Sequence, residues 1–326
     1  FNKKGKMKKN IAIIMGGYSS EYKISLESGK AVFDILDKNK FNCFRVVILK
    51  DKWFYIDSKN HETTINKDSF TFKLNNKLIY IDCVFNAIHG SPGEDGEIQS
   101  YFEKLNIPVT GSGALQSKIT YDKIECLDYL KEFNIKSADS ISLNINDKVD
   151  IKEIIKQVGL PCFVKACKSG SSYGVSKVYK SEEFDKALKI AFNEGSKIMI
   201  ESFLNGTEVS VGVINFKGEI ICLPITEIVS QNDFFDYDAK YMGKSSEITP
   251  ARISDKMKSI VIKESLKIYK SLGLKGLSRS EFIFKNEIPY LLEVNTVPGL
   301  TKESILPQQV KLANISLGDL YESLII

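Results

Sequence analysis

Ser278-Arg279-Ser280-Glu281-Phe282, followed by Pro289-Tyr290-Leu291-Leu292-Glu293-Val294-Asn295-Thr296-Val297-Pro298-Gly299-Leu300-Thr301, is the most informative stretch of this chain. Both halves alternate as strands. Glu293 and Asn295 are two apart, so their side chains share one face. Glu281 sits on the preceding strand of a hairpin and is expected to point the same way. Two carboxylates and an amide oxygen form a hard, oxygen-only donor set, which suits Mg²⁺ once nucleotide phosphates complete the shell. The solvated face of an edge hairpin would look the same. The tight Asn295–Gly299 turn, with a glycine that lets backbone approach a ligand, favours the site.

Working outward, Lys168-Ser169-Gly170-Ser171-Ser172-Tyr173-Gly174 lies between two expected strands, Pro161 to Lys165 and Val175 to Tyr179. Its glycines permit a flap whose backbone N–H groups and Ser171 and Ser172 hydroxyls can wrap phosphate oxygens. It is not a G-x-x-x-x-G-K-[ST] loop, and an ordinary polar hairpin would read alike. Lys165 ends an apolar strand that enters the flap, a poor place for an unpaired charge. Lys123 alone reads as a surface lysine. Ile198 to Glu208 is an apolar strand carrying Glu201 and then Phe203-Leu204. It could offer a purine edge its hydrogen bonds, or simply end in a core.

The front of the chain alternates strand and helix. Asn10 to Met15 stops at Gly16-Gly17, Ser25 to Leu36 has helical spacing, and Cys43 to Leu49 and Leu78 to Ile88 read as strands. Asp51 to Asn76 is polar, with room for a small hairpin. A short helix to Leu105 and a buried strand at Ile107-Pro108-Val109 follow, then a helix over Ser117 to Phe133. Two glycine-rich segments, from Gly16 and from His89, sit at strand ends, where α/β sheets bind small ligands. Glu21 and Ser25 lie near a helix N-terminus. His89 reads as a structural hydrogen-bonding residue, and Glu94 and Asp95 as turn and cap residues. The end of the chain reads as antiparallel strands beside the helix Lys256 to Leu272, an α+β unit.

The chain has 326 residues, 43% hydrophobic and 26% charged, enough for two domains or three small ones and too apolar for disorder. A net charge of +4 gives no argument for nucleic acid. No run of about 18 apolar residues is present, which excludes a membrane-spanning helix. Six scattered cysteines without a C-x-x-C pair, and only two histidines, argue against a disulfide framework and a zinc site. Residues 1–6 read as an appended remnant ahead of Met7.

Six segments in order resemble the D-alanine–D-alanine ligases of the ATP-grasp superfamily: GGYSSEYKISLESG from Gly16, HGSPGEDGEIQSYFEKLNIPVTGSG from His89, KSGSSYGVSKV, DYDAKY, RSEF and LLEVNTVPGLT. The resemblance implies a Rossmann-like N-terminal domain over 7–112, then a two-part ATP-grasp fold, with a central subdomain over 113–204 and a C-terminal one over 205–326. It implies that Glu21 holds the ammonium of the first D-alanine, with His89 nearby. Lys123, Lys165, Ser172, Glu201, Leu204 and Glu208 would contact ATP, and Lys240 the transferring phosphate. Glu281, Glu293 and Asn295 would hold two Mg²⁺, with Mn²⁺ as a substitute. Ser171 and Tyr241 would close the site over Glu21. Arg279, the Gly299 N–H and Ser304 would bind the second D-alanine. It further implies a cytoplasmic homodimer that takes D-alanine and ATP and binds neither nucleic acid nor membrane.

Some positions depart from the family pattern. Lys168-Ser169 stands where arginine and glutamate are usual before the flap, Glu281 where aspartate is usual, and Val297 where serine is frequent. A D-alanine–D-lactate ligase, or another ATP-grasp carboxylate–amine ligase, would share the nucleotide residues; Tyr241 favours the D-alanyl-D-alanine product. A nucleotide-binding regulator without catalysis is disfavoured, because no expected metal carboxylate or phosphate lysine is missing.

Overall fold

The computed structural model describes residues 8–230 and 245–325. In chain order the first elements are β1 (Lys9–Gly16), α1 (Tyr22–Ile35), β2 (Phe41–Ile48), β3 (Trp53–Ile56), β4 (Glu62–Thr64), β5 (Phe72–Leu74), β6 (Lys77–Ile79), β7 (Cys83–Asn86) and α2 (Glu97–Lys104). Then come α3 (Ala114–Tyr121), α4 (Lys123–Lys131), β8 (Ser140–Asn144), α5 (Ile151–Val158), β9 (Cys162–Ala166), β10 (Ser176–Val178), α6 (Phe184–Glu194) and β11 (Lys197–Ser202). The last are β12 (Thr207–Phe216), β13 (Glu219–Cys222), β14 (Thr226–Ser230), β15 (Ser245–Ile248), α7 (Asp255–Ser271), β16 (Leu277–Lys285), β17 (Ile288–Asn295), α8 (Ile305–Leu312) and α9 (Leu317–Leu324).

The first sheet has the order β4-β3-β2-β1-β7. β1 pairs in parallel with β2 and β7, and the β3 and β4 additions are antiparallel. Ile11, Ala12, Ile13 and Ile14 are all fully buried, as a central strand covered on both faces requires. The two-residue period sends them into different cores. Ala12 and Ile14 join Val46, Phe70 and Phe102. Ile11, Ile13 and Met15 join Val32 of α1 together with Leu306, Val310 and Tyr321 from the far end of the chain. That second core brings the turn after β17 against the loops that leave β1 and β7.

The second sheet, β10-β9-β11-β8, is antiparallel and packs on α5 and α6. The third runs β15-β14-β12-β16-β17, with β13 beside β12, and packs on α4 and α7. Parallel strands at the front with antiparallel sheets behind match the α/β and α+β division expected from the sequence.

Three expectations need correction. The helix read over Ser117 to Phe133 is two helices, broken at Asp122, whose side chain accepts from Glu125 N and caps α4. The strand read from Leu78 to Ile88 is split between the β5–β6 hairpin and β7. The Ile107–Val109 segment makes a single parallel bridge, Val84 with Val109; Pro108 accepts from Val84 N but has no N–H to continue a ladder. The sequence pattern does not announce β8, α5, β14, β15, α8 and α9.

Candidate active site

The β16–β17 register places Glu281 opposite Glu293 and Arg279 opposite Asn295, so the four side chains form a block on one face. The pairing shifts between Glu281 and Phe282, and such a bulge re-aims the side chains beside it. Arg279 Nε donates to Glu281 Oε1 at 2.5 Å, and Ser210 Oγ donates to the same oxygen at 3.2 Å. Lys123 Nζ lies 3.1 Å from Glu293 Oε2 and donates to Ser169 O at 2.6 Å. Lys123 is buried, contrary to its reading as a surface lysine. Burial works against its ammonium, but Glu293 more than offsets that and raises its pKa. Arg279 is raised likewise, burial being outweighed by Glu281 and Glu293.

Lys123, Arg279, Glu281 and Glu293 form one wall of a cleft of about 450 Å³. The opposite wall comes from the second sheet. β9 and β11 pair Lys165 with Met199 and Phe163 with Glu201, which puts Lys165 and Glu201 diagonally on one face. Their Nζ and Oε1 are 2.6 Å apart and both residues are buried. Phe203 and Leu204 continue this wall as an apolar bed, and Glu208 borders it from β12 of the third sheet. The loop 169–173 roofs it.

The roof reaches the first sheet. Ser171 and Ser172 both adopt positive φ, at 50° and 58°, and Ser171 Oγ donates to Glu21 Oε1 at 2.6 Å. A Cβ on Gly170 would stand 2.6 Å from both Glu21 oxygens, so any larger residue would have to push the Glu21 carboxylate aside. Glu21 itself is buried.

Beyond Glu21 lies the turn 296–304. A Cβ on Gly299 would meet Ser304 Oγ at 2.6 Å, and Ser304 Oγ is 2.8 Å from Thr301 Oγ1. His89 is buried, with Nδ1 2.9 Å from Val297 O and Nε2 2.7 Å from Ser28 Oγ. Burial pushes its pKa down, against a smaller opposing pull from Glu21. Glu94 caps no helix. Its oxygens accept from Gly90 N at 2.7 Å and Val297 N at 3.2 Å. Burial, and next Glu21, push its carboxyl up to about 8 despite those N–H donors. Asp95 accepts from Glu97 N, as its turn reading expected.

Lys123, Lys165, Ser171, Ser172, Glu201, Leu204, Glu208, Arg279, Glu281 and Glu293 therefore meet at one cleft. Asn295 lies in an adjoining recess with Glu94, Tyr121 and Glu293. Glu21, His89, Gly299 and Ser304 lie behind the roof, off the cleft lining. Lys240 and Tyr241 lie outside the described residues. Glu94 does close a turn on Gly90, as read, but sequence reading missed its contact with Val297 and missed Ser28; a serine in the middle of a helix and a glutamate in a loop carry no local signal of what they touch.

The donor set suits Mg²⁺. Two cross-strand carboxylates and an amide are hard oxygen donors, and the buried Asn295 Nδ2 has no hydrogen-bond partner among the described residues. Amide O and N are interchangeable by a flip, so this side chain can turn its oxygen to a cation at no cost in lost bonds. Among the described residues no group of three or more His, Cys, Asp or Glu side chains gathers as an all-protein metal cage. A cation held by two carboxylates and one amide needs further oxygens from its ligand.

Residues 10–112 match the family described as D-ala D-ala ligase N-terminus, and residues 130–326 the one described as D-ala D-ala ligase C-terminus. A D-alanine--D-alanine ligase of Flavobacterium johnsoniae is 56% identical over 317 residues, 97% of this chain and 98% of that protein. Among solved structures, the VanG D-Ala:D-Ser ligase from Enterococcus faecalis is 32% identical with a TM-score of 0.84, over 98% of both chains. A D-alanine--D-alanine ligase from Bacillus anthracis complexed with ATP is 30% identical with a TM-score of 0.76, over 97% of this chain and 96% of that one. The architecture is the ATP-grasp fold of these ligases. The chain belongs to the D-alanine–D-alanine ligase family.

Proposed function

We propose that the chain joins two molecules of D-alanine into D-alanyl-D-alanine at the expense of ATP, supplying a peptidoglycan precursor in a bacterial cytoplasm. The observation that carries the reading is the Glu281–Glu293 pair on one wall of a cleft whose other wall holds the buried Lys165–Glu201 pair. Family membership supports the same substrate pair.

A carboxylate oxygen is a poor leaving group, so the first D-alanine has to be activated as an acyl phosphate. In this reading Glu21 binds its ammonium, with His89 behind it. Lys123 and Lys165 lie along the α- and β-phosphates, and Ser172 and Lys240 meet the γ-phosphate. Glu201 and the Leu204 backbone take the purine edge, and Glu208 the ribose. Glu281, Glu293 and Asn295 would hold Mg²⁺, two ions with Mn²⁺ as a substitute. Bound there, the ions would neutralise charge on the phosphate oxygens. Arg279 and Lys123 rest on these carboxylates and in this reading turn toward substrate charge.

The second D-alanine attacks as a free amine, its carboxylate near Ser304. Arg279 and the Gly299 N–H stabilise the oxyanion of the tetrahedral intermediate. Water would hydrolyse the acyl phosphate, so Ser171 and Tyr241 close over Glu21 and keep it out. The domain division at 113 and 205, and a homodimer formed through the N-terminal region, belong to the same reading.

The test is phosphate release and product analysis with D-alanine, L-alanine and D-lactate in turn, with and without Mg²⁺. Phosphate and dipeptide in equal amounts from D-alanine alone support the reading. Product only when D-lactate accompanies D-alanine would make the chain a D-alanine–D-lactate ligase. No Mg²⁺-dependent phosphate with any of them would point to another carboxylate–amine ligase.

A further inference from the structure

The turn 296–300, which carries the Gly299 N–H, is clamped by three side chains from the first third of the chain. Glu94 Oε1 accepts from Val297 N at 3.2 Å. His89 Nδ1 lies 2.9 Å from Val297 O. Ser28 Oγ lies 2.7 Å from His89 Nε2 and accepts from Leu300 N at 3.3 Å. Gly299 thus sits between two residues whose backbones are pinned.

Chemistry fixes the direction of each bond. A carbonyl only accepts, so His89 Nδ1 carries the ring proton and Nε2 of the neutral ring is the acceptor. Ser28 O–H therefore donates to Nε2, and its lone pair stays available to Leu300 N–H. The burial that lowers the pKa of His89 keeps the ring in this neutral form. Ser28 is fully buried and His89 is 4% exposed, so water cannot replace a lost partner cheaply. The neighbouring Gly29 explains how Ser28 comes so close: a Cβ there would stand 2.7 Å from Met15, so α1 presses directly onto β1.

We infer that Ser28 is a positioning residue of the ligation: through His89, and directly through Leu300 N, it sets where the Gly299 N–H points when the amine attacks. The inference rests on the proposed oxyanion role of Gly299. Its loss should therefore spare acyl-phosphate formation and impair capture by the second D-alanine. Uncaptured acyl phosphate adds water and returns D-alanine and inorganic phosphate, so consumption of ATP uncouples from dipeptide.

The experiment measures phosphate and dipeptide side by side for the unaltered chain and its Ser28→Ala variant, with thermal unfolding as a check on folding. The expected result is a fall of about tenfold in dipeptide formation, as for loss of one buried hydrogen bond. The phosphate-to-dipeptide ratio should rise above one, with the KM for ATP unchanged. His89→Ala and the double variant complete the cycle, and because Ser28 acts largely through His89 their effects on the ratio should not add. A ratio that stays at one in folded Ser28→Ala, or effects that add fully, overturns the inference. Should Ser28→Ala not fold, Ser28→Cys is judged by the same ratio. If the unaltered protein makes no dipeptide, it is the proposed function that fails instead.

Discussion

Ser171 Oγ and Glu21 Oε1 are 2.6 Å apart, and this one bond joins the loop after the first strand to the roof of a cleft built by two other sheets. Glu21 is buried, so the hydroxyl supplies part of what water would otherwise give the carboxylate. The bond exists because Gly170 leaves no side chain between them.

Gly170→Ala should displace the Glu21 carboxylate from under the roof. A methyl group at 2.6 Å from a carboxylate forces one of them to move, and misplacement by about 1 Å at a reacting site can cost on the order of 100-fold. The expected outcome is a fall of that size in kcat/KM for the first D-alanine, with a thermal midpoint near that of the unaltered protein. Steady-state kinetics with D-alanine varied at saturating ATP checks it.

The buried Lys165–Glu201 pair separates stability from activity. Lys165→Ala leaves Glu201 uncompensated inside the protein and should destabilise it by about 3 kcal/mol. Lys165→Met combined with Glu201→Leu should recover much of that stability, because a packed apolar pair replaces two desolvated charges. Neither variant should restore turnover. Urea unfolding and phosphate release on the same samples distinguish the two effects.

Glu293→Gln removes one of the two carboxylates of the proposed cation site while keeping its shape. Turnover should fall by at least about 100-fold, and the fold seen by circular dichroism should persist. Retained activity would remove the β16–β17 block from the chemistry.

Glu94 gives a pH dependence whose sign is opposite to that of a salt-bridged carboxylate. Its carboxyl titrates near 8 in the folded chain and near the ordinary glutamate value when unfolded, so between those values the folded state binds the extra proton. Stability from this group is therefore lost as pH rises from about 4.5 to about 8 and is level outside that window. Glu94→Gln should flatten the profile there, by on the order of 2 kcal/mol across the window, since Glu94 keeps some contact with solvent. Denaturant midpoints at pH 5 and pH 8 for both proteins check it.

Much of the architecture could be read from the chain because it rests on local pattern. Ile11 to Ile14 is apolar without interruption, which only a doubly covered strand needs, and Glu281, Glu293 and Asn295 fall in register as their spacing implied. The break at Asp122 was hidden, since Ser117 to Phe133 keeps its helical period across a residue that caps one helix while ending another. The environment of Lys123, Glu94 and Ser28 was hidden for a different reason. Each is defined by a partner far along the chain, namely Glu293, Val297 and Leu300, and no spacing rule reports a contact across such a distance.

Ile11, Ile13 and Met15 share their core with Leu306, Val310 and Tyr321. During synthesis that face of the first sheet is covered only in part, by α1, until α8 and α9 have left the ribosome, so the N-terminal part cannot complete its core while the rest is being made. The same interlocking means that a nascent chain stopped before residue 305 carries an apolar flank, which makes it a natural client for chaperones rather than a free-standing fragment.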